Sequence, residues 1–415
     1  MNKINKSTAK EIIAANIIPI VFLGISAIGV AYSGVNGSII MSDVVSRFAR
    51  NGILVLSLLF PILAGMGLNF GIVVGAMAAQ IAMFIVSVLN ITGIMGVIAA
   101  ALITVPFAVF FGWLSALLMN KTKGQEMITS MFIGYFAHGL YMIVFLFILG
   151  GVIKIDAPNI MMPRTGVGVR NTIDLAGIKY AIDNLIKTDI FTFALGVGLI
   201  GVLWVAYGYF KKKKVKTSTA VLSVLCLVTG VVGQFLPALA MYKRVVKVPV
   251  VTFGLIGLLC VFITFFFKTK LGQNMRAVGQ NMEIAEVSGI NVNKTRTIAT
   301  IMSVVLAGWG QIIFSQNLGT LSTYSAHSNV GMFASAALLI GGASVTKATV
   351  PQAILGTLLF HLLFNVSPMA GKNIFGSAVI GEYFRVFIAY GVIAVAIALH
   401  AWKQSVAQNK RNNNM

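Results

Sequence analysis

Long apolar runs follow one another from one end of the chain to the other, and most polar stretches between them are short. Twelve such runs stand out, at residues 11–31, 51–69, 70–90, 96–119, 127–150, 190–210, 217–237, 249–267, 298–316, 331–346, 349–366 and 383–402. Most approach the roughly 20 residues that a helix needs to cross a bilayer core, where a helix satisfies its own backbone groups without water. The pattern predicts an all-α polytopic membrane protein, a single transmembrane domain over residues 1–415 with about 10–12 transmembrane or re-entrant helices. Two runs do not read as straight crossings. "GMGLNFGIVVGAMAAQ" (65–80) sets Gly65, Gly67, Gly71 and Gly75 among apolar residues, and "GMFASAALLIGGAS" (331–344) is short. Each is either a broken or re-entrant helix lining a pathway or a place where helices pack closely through small residues.

Two polar stretches interrupt this rhythm. Residues 151–189 form the longest external loop, with Pro158, Pro163, Asp156, Asp174, Asp183 and Asp189, and read as a solvated loop or a docking surface for an external partner. Residues 268–297 form the other, a cytoplasmic segment containing "GQNMRAVGQNMEIAEVSGINVNKTR" at 272–296. There Gly272, Gly279 and Gly289 punctuate a stretch in which residues 282–288 can make two turns of helix. Asn281 suits the N-cap and Glu283 the positive end of the helix dipole, while Gly289 suits the C-cap. Ile284 and Val287 then face one way and charges the other, a shape made to be gripped by another protein.

Composition sharpens the membrane reading. Hydrophobic residues are 58% of the chain and charged ones 10%, against about 25% charged in a soluble domain. The net charge of +21 would suggest nucleic acid in a soluble chain, but sorted by loop it reads as topology. With the N-terminus inside, Lys121, Lys123, Lys211 to Lys214, Lys216, the 268–297 segment and the 403–411 tail all fall in the cytoplasm. That path puts 19 of the 31 Lys and Arg inside with four acids, and 12 outside with six. Both termini are therefore expected in the cytoplasm, with lipid rather than nucleic acid as surroundings. Lys243, Arg244 and Lys247 on an outer segment run against the trend. Lys3, Lys6 and Lys10 precede a first run too long for a cleaved signal peptide, so it should stay as a membrane helix.

Much familiar chemistry is missing. No GxxxxGK[ST] occurs: "GGASVTKAT" (341–349) has Thr346 where a glycine should precede Lys347. All ten acids fall at loops or span ends, Glu382 being the nearest to a buried site, where Arg385 one turn on should pair with it. His138 and His361 lie in apolar runs, His327 in an external turn and His400 at the cytoplasmic end, none with a metal-spaced companion, so structural roles are expected. Cys226 and Cys260 read as small buried hydrophobes. No cofactor, metal or catalytic group is expected on this chain. A secondary carrier would need intramembrane carboxylates, and an enzyme acting on lipid would need a catalytic constellation. For a solute pathway the uncharged polar candidates are Asn69, Gln80, Gln311 and Asn317, each equally able to stabilise helix contacts.

At the cytoplasmic segment the chain resembles the membrane permease subunit of ABC importers, in the family serving monosaccharides, nucleosides and branched-chain amino acids. "NMRAVGQNMEIAEVSGINV" (274–292) is similar to that family's RAxGxNxxAAxxSGI signature at Arg276, Ala277, Gly279, Asn281, Ala285, Ser288, Gly289 and Ile290. Glu283, Ala285 and Gly289 also fit the general EAAxxxG pattern, with Ile284 in place of the middle alanine. "LAGWGQII" (306–313) and "IGGAS" (340–344) resemble the family's downstream segments. The resemblance implies a type II importer fold and a coupling segment that docks into a separate ATP-binding cassette subunit, which hydrolyses ATP with Mg. It also implies a second permease copy or paralogue, an extracytoplasmic solute-binding protein, and a place in the cytoplasmic membrane of a bacterium. Arg276, Gly279, Asn281, Glu283, Ala285 and Gly289 would then sit at the ATPase joint. The implied solute is a simple sugar such as ribose or galactose, or alternatively a nucleoside. Twelve segments exceed the eight to ten usual in this family, leaving 190–237 as an insertion or some short segments as re-entrant.

Overall fold

The computed structural model describes residues 16–158, 160–162, 168–211 and 217–412. Lys3, Lys6, Lys10, Glu11, Pro163, Lys212 to Lys214, Lys216 and the side chains of His400 and of the 403–411 tail lie outside what is described.

In chain order the helices are α1 (Ile17–Ser33), α2 (Gly37–Leu63), α3 (Phe70–Val88), α4 (Gly93–Lys121), α5 (Glu126–Val152), α6 (Ile190–Phe210) and α7 (Thr217–Phe235). There follow α8 (Ala240–Val245), α9 (Val250–Phe266), α10 (Lys270–Gln280), α11 (Met282–Val287), α12 (Val292–Leu318), α13 (Val330–Ile340), α14 (Val350–Phe375) and α15 (Ala378–Asn412). Among the described residues eight helices are long and apolar enough to cross a membrane, or up to ten if each of two bent pairs is one span. The bends are 96° after α7 and 75° between α9 and α10, and α1 and α13 are shorter apolar helices. The architecture is that of an all-α polytopic membrane protein.

Helix α12 stands at the centre, packed on α2, α3 and α4, and α14 gathers α1, α2, α13 and α15. Small residues let these backbones approach: a Cβ on Gly75 would run into the Val304 carbonyl, and one on Gly308 would lie 2.6 Å from Thr104. The glycine-rich stretch 65–80 is thus both close packing and a break, because Gly65 and Gly67 adopt φ of +77° and +70° between α2 and α3. By contrast α6 and α7 pack principally on each other, and only 6% of the most apolar 18-residue stretch of α6 is buried against 78% of that of α2. They form a peripheral hairpin.

Three expectations need correction. The second span begins at Gly37, not residue 51, because Ile40, Val44, Val45, Phe48 and Ala49 form a buried helical stripe that averaging hides. Asp43, Arg47 and Arg50 therefore occupy its second to fourth turns, so Asp43 is not at a loop or span end. The 151–189 loop is not simply solvated. Strand β1 (Thr172–Asp174) pairs antiparallel with β4 (Thr320–Ser322), and β2 (Lys187–Asp189) with β3 (Lys247–Pro249). Asp183, 1% exposed, accepts from Thr252 Oγ1 and Asn317 Nδ2, both at 2.5 Å. His327 does lie in a turn, but its own side chain is fully buried. The expected Glu382–Arg385 pair forms. Cys226 and Cys260 are free and half-buried.

Candidate functional site

The 268–297 segment is built by local hydrogen bonding. Thr269 Oγ1 accepts from the Gly272 amide and starts α10, which turns Gly272, Met275 and Val278 inward. Gly279 lies against Gly65 and the Leu63 carbonyl, where a Cβ would have no room. Asn281, extended at φ −159°, separates α10 from α11 and its Oδ1 accepts from the Ile284 amide at 3.0 Å. At the other end the Gly289 amide bonds to Glu286 and the Ile290 amide to Ala285, with Gly289 at φ +82°. Those two bonds make a Schellman motif, which needs a left-handed residue that glycine supplies without strain.

One face of α11 holds it down: Ala285, 2% exposed, packs with Val278, Val292 and Ile290. The other face is bare, with Ile284 65% and Val287 91% exposed beside the exposed Glu283 and Glu286. Arg276 is also exposed, its guanidinium 5.4 Å from the Phe267 ring centroid. All six residues expected at the ATPase joint thus lie on α10, α11 or their turns.

Beneath α11 is a pair that sequence reasoning did not find. Arg296, fully buried, donates through Nη2 to Glu126 Oε1 at 2.5 Å and to the Met119 carbonyl at 3.2 Å, and its Nη1 lies 3.3 Å from Met282 Sδ. The other Glu126 oxygen accepts from the Gly124 amide. One guanidinium thereby ties the end of α4 and the start of α5 to α11 and α12. Nothing in the local pattern announces a contact across 170 residues.

The four nominated pathway residues take separate partners, although Gln80 and Gln311 both reach the turn at 326–327. Asn69 Oδ1 caps the Gly71 amide at 2.9 Å, and its Nδ2 has no partner among the described residues. Gln80 Oε1 meets His327 Nδ1 at 2.8 Å, and His327 Nε2 meets His138 Nδ1 at 2.7 Å. Gln311 Nε2 reaches the Ala326 carbonyl at 3.5 Å, while Asn317 is committed to Asp183. A cavity of about 310 Å³ lies elsewhere, between α2, α12, β4, the turn after it, α13 and α14. Asn51, Phe314, Ser325, Asn329, Phe333 and His361 line it. The only sequence signal for them is polar residues beside apolar runs, which many other positions share.

The wall formed by the turn is pinned from both sides. Tyr324 Oη donates to the Val169 carbonyl and Thr323 Oγ1 to the Arg170 carbonyl, while His327 reaches down to Gln80. Burial lifts the Tyr324 phenol above its ordinary value. In β2, desolvation pushes the Asp189 carboxyl up, but the Thr192 hydroxyl and the Thr192 and Phe191 amides outweigh it and hold the group below its ordinary value.

A family model described as "Branched-chain amino acid transport system / permease component" matches residues 40–398. Curated relatives align over shorter stretches. The xylose transport system permease protein of Haemophilus influenzae is 32% identical over 177 residues, 41% of this chain and 46% of the relative. A nucleoside ABC transporter permease protein of Lactococcus lactis is 31% identical over 137 residues, 33% of this chain and 41% of the relative. The ribose import permease protein of Escherichia coli is 29% identical over 138 residues, 33% of this chain and 40% of the relative. The chain thus spans less than half the length of these relatives. No solved structure matches it.

Proposed function

The chain belongs to the family of branched-chain amino acid transport system permease components, and on that premise we propose that it is the membrane-spanning subunit of an ABC importer. The importer carries a small polar solute, a simple sugar such as ribose or galactose, across the cytoplasmic membrane of a bacterium. Energy comes from ATP and Mg turned over by a separate ATP-binding cassette subunit. A second permease copy or paralogue completes the channel, and an extracytoplasmic protein delivers the solute.

The observation that carries this reading is α11. Its caps and its buried Ala285 fix it rigidly, yet Ile284 and Val287 remain uncovered. A short helix so presented fits a groove in a partner, and Arg296 joins it to α4, α5 and α12, so a push on α11 reaches the spanning helices. Basic residues around it support a cytoplasmic position for this end and for both termini. The opposite end, with β1 to β4, then faces outward and would receive the solute-binding protein. A nucleoside is the second reading, favoured by the similarity to the nucleoside permease of Lactococcus lactis.

The test is reconstitution of the chain with its partner subunits in vesicles. Uptake of a labelled sugar or nucleoside should require ATP, and Gly289→Arg or Glu283→Lys should abolish it while the chain still inserts. Accumulation by the purified chain alone, without ATP, would overturn the proposal.

A further inference from the structure

Several polar side chains around the 310 Å³ cavity have hydrogen-bonding capacity that no neighbour uses. His361 is 7% exposed, yet neither ring nitrogen has a hydrogen-bond partner among the described residues, and Nδ1 is fully sealed. Asn329 stands at the N-cap position of α13 without capping it. Asn51 spends its Nδ2 on the Arg47 carbonyl at 2.9 Å and leaves Oδ1 unspent. These groups come from α14, α13 and α2 and line the same space. An imidazole so deeply buried is costly without a partner. Nδ1 is sealed from water and so from the cavity; it is Nε2 that a polar ligand in the cavity would partner.

The remaining lining is apolar and aromatic apart from Thr320, Ser322 and Ser325 at the β4 side. Phe333 belongs to a layer of rings with Phe360 and Phe364, at centroid distances of 5.9 and 5.1 Å, and Phe314 contributes another ring. No carboxylate lines the cavity. Arg47 and Arg50 are close enough for their charges to act on His361 but do not line it. The volume is at the lower end of the range for ligand pockets, which suits one ring.

Resting on the importer reading above, we infer that this cavity binds the hydroxyl-bearing ring of a neutral solute, with His361, Asn329 and Asn51 meeting the hydroxyls and Phe333 covering the apolar ring face. A furanose or pyranose has that division between a polar rim and an apolar C–H face. The ring belongs either to a free monosaccharide or to the ribose of a nucleoside. None of the four residues nominated from sequence takes part.

The test uses the full chain in lipid nanodiscs with Cys226→Ser and Cys260→Ser, and Ser325→Cys as a reporter on the cavity wall. The rate of maleimide labelling is measured with D-ribose, D-galactose, D-xylose, guanosine, ribose 5-phosphate or L-leucine present. A neutral sugar or guanosine should slow labelling, and which of them does so identifies the source of the ring. His361→Phe should raise the half-protecting concentration about tenfold, one hydrogen bond's worth, without changing the rate in the absence of solute. His361→Gln should restore part of the protection, and Asn329→Leu should behave like His361→Phe. The inference is overturned if no neutral probe protects, if only ribose 5-phosphate or leucine does, or if protection survives His361→Phe and Asn329→Leu. Failure of the importer reading looks different: uptake by the assembled complex would not need ATP, whatever the labelling shows.

Discussion

The two ends of α12 are both held by buried polar contacts, but of different kinds. At the end near α11, a full charge pair joins Arg296 to Glu126, and the helix above it is left bare to solvent. At the other end a single carboxylate, Asp183, takes neutral donors from Asn317 and Thr252, and the 168–189 chain packs over the helix end through β1–β4 pairing and the Leu175 and Tyr180 amides. A buried ion pair makes a stiff joint, because neither charge tolerates losing the other. It suits the end where force is expected to enter. Neutral bonds under a packed cover suit a frame.

The largest test of this contrast is Glu126→Ala. It strands the Arg296 guanidinium in the interior and should cost about 3–5 kcal/mol, seen as a lower detergent unfolding midpoint and poor yield. Glu126→Met with Arg296→Met should recover most of that stability but not ATP-dependent uptake; recovery of both would remove the joint from the mechanism. Next is Asp183→Ala at the covered end, expected to cost about 1–3 kcal/mol because it leaves the Thr252 hydroxyl and Asn317 amide unsatisfied. Thermal unfolding would register the loss, with the ATPase of the assembled complex still coupled to transport.

Asn281→Ala removes a cap and should cost about 1 kcal/mol. Its effect is local, so hydrogen exchange should quicken at the Ile284 amide while β1 and β4 stay protected. Val287→Ser is the smallest change to the fold, within about 0.5 kcal/mol for so exposed a site. It should nevertheless weaken assembly with the ATP-binding subunit, measured by co-purification. Unchanged co-purification there would mean that the bare face of α11 is not the docking face.

These contrasts also divide what a reader of the sequence can see. Segments such as 70–90, 190–210 and 249–267 were legible because apolar length alone decides whether a helix can span a bilayer. The α11 turn was legible because Asn281, Glu283 and Gly289 act on backbone groups within a few residues. The start of α2 was not, because Asp43, Arg47 and Arg50 mask the apolar stripe beside them. The cavity was missed for the same reason that Asn69 and Gln80 were nominated: a lone polar residue in an apolar run looks alike whether it caps a turn or lines a space.

By itself the sequence determined that this chain crosses a membrane many times, where most of its helices lie, and that residues 282–287 form one capped helix. Only the tertiary structure decided that Arg296 meets Glu126, that Gln80 holds His327, and that Asn51, Asn329 and His361 share one cavity. The reason is physical. A membrane helix is apolar on nearly every face, so its pattern fixes length and leaves open which face packs where. Polar partners separated by 170 or 247 residues are brought together by how the helices are arranged, and no local period records that.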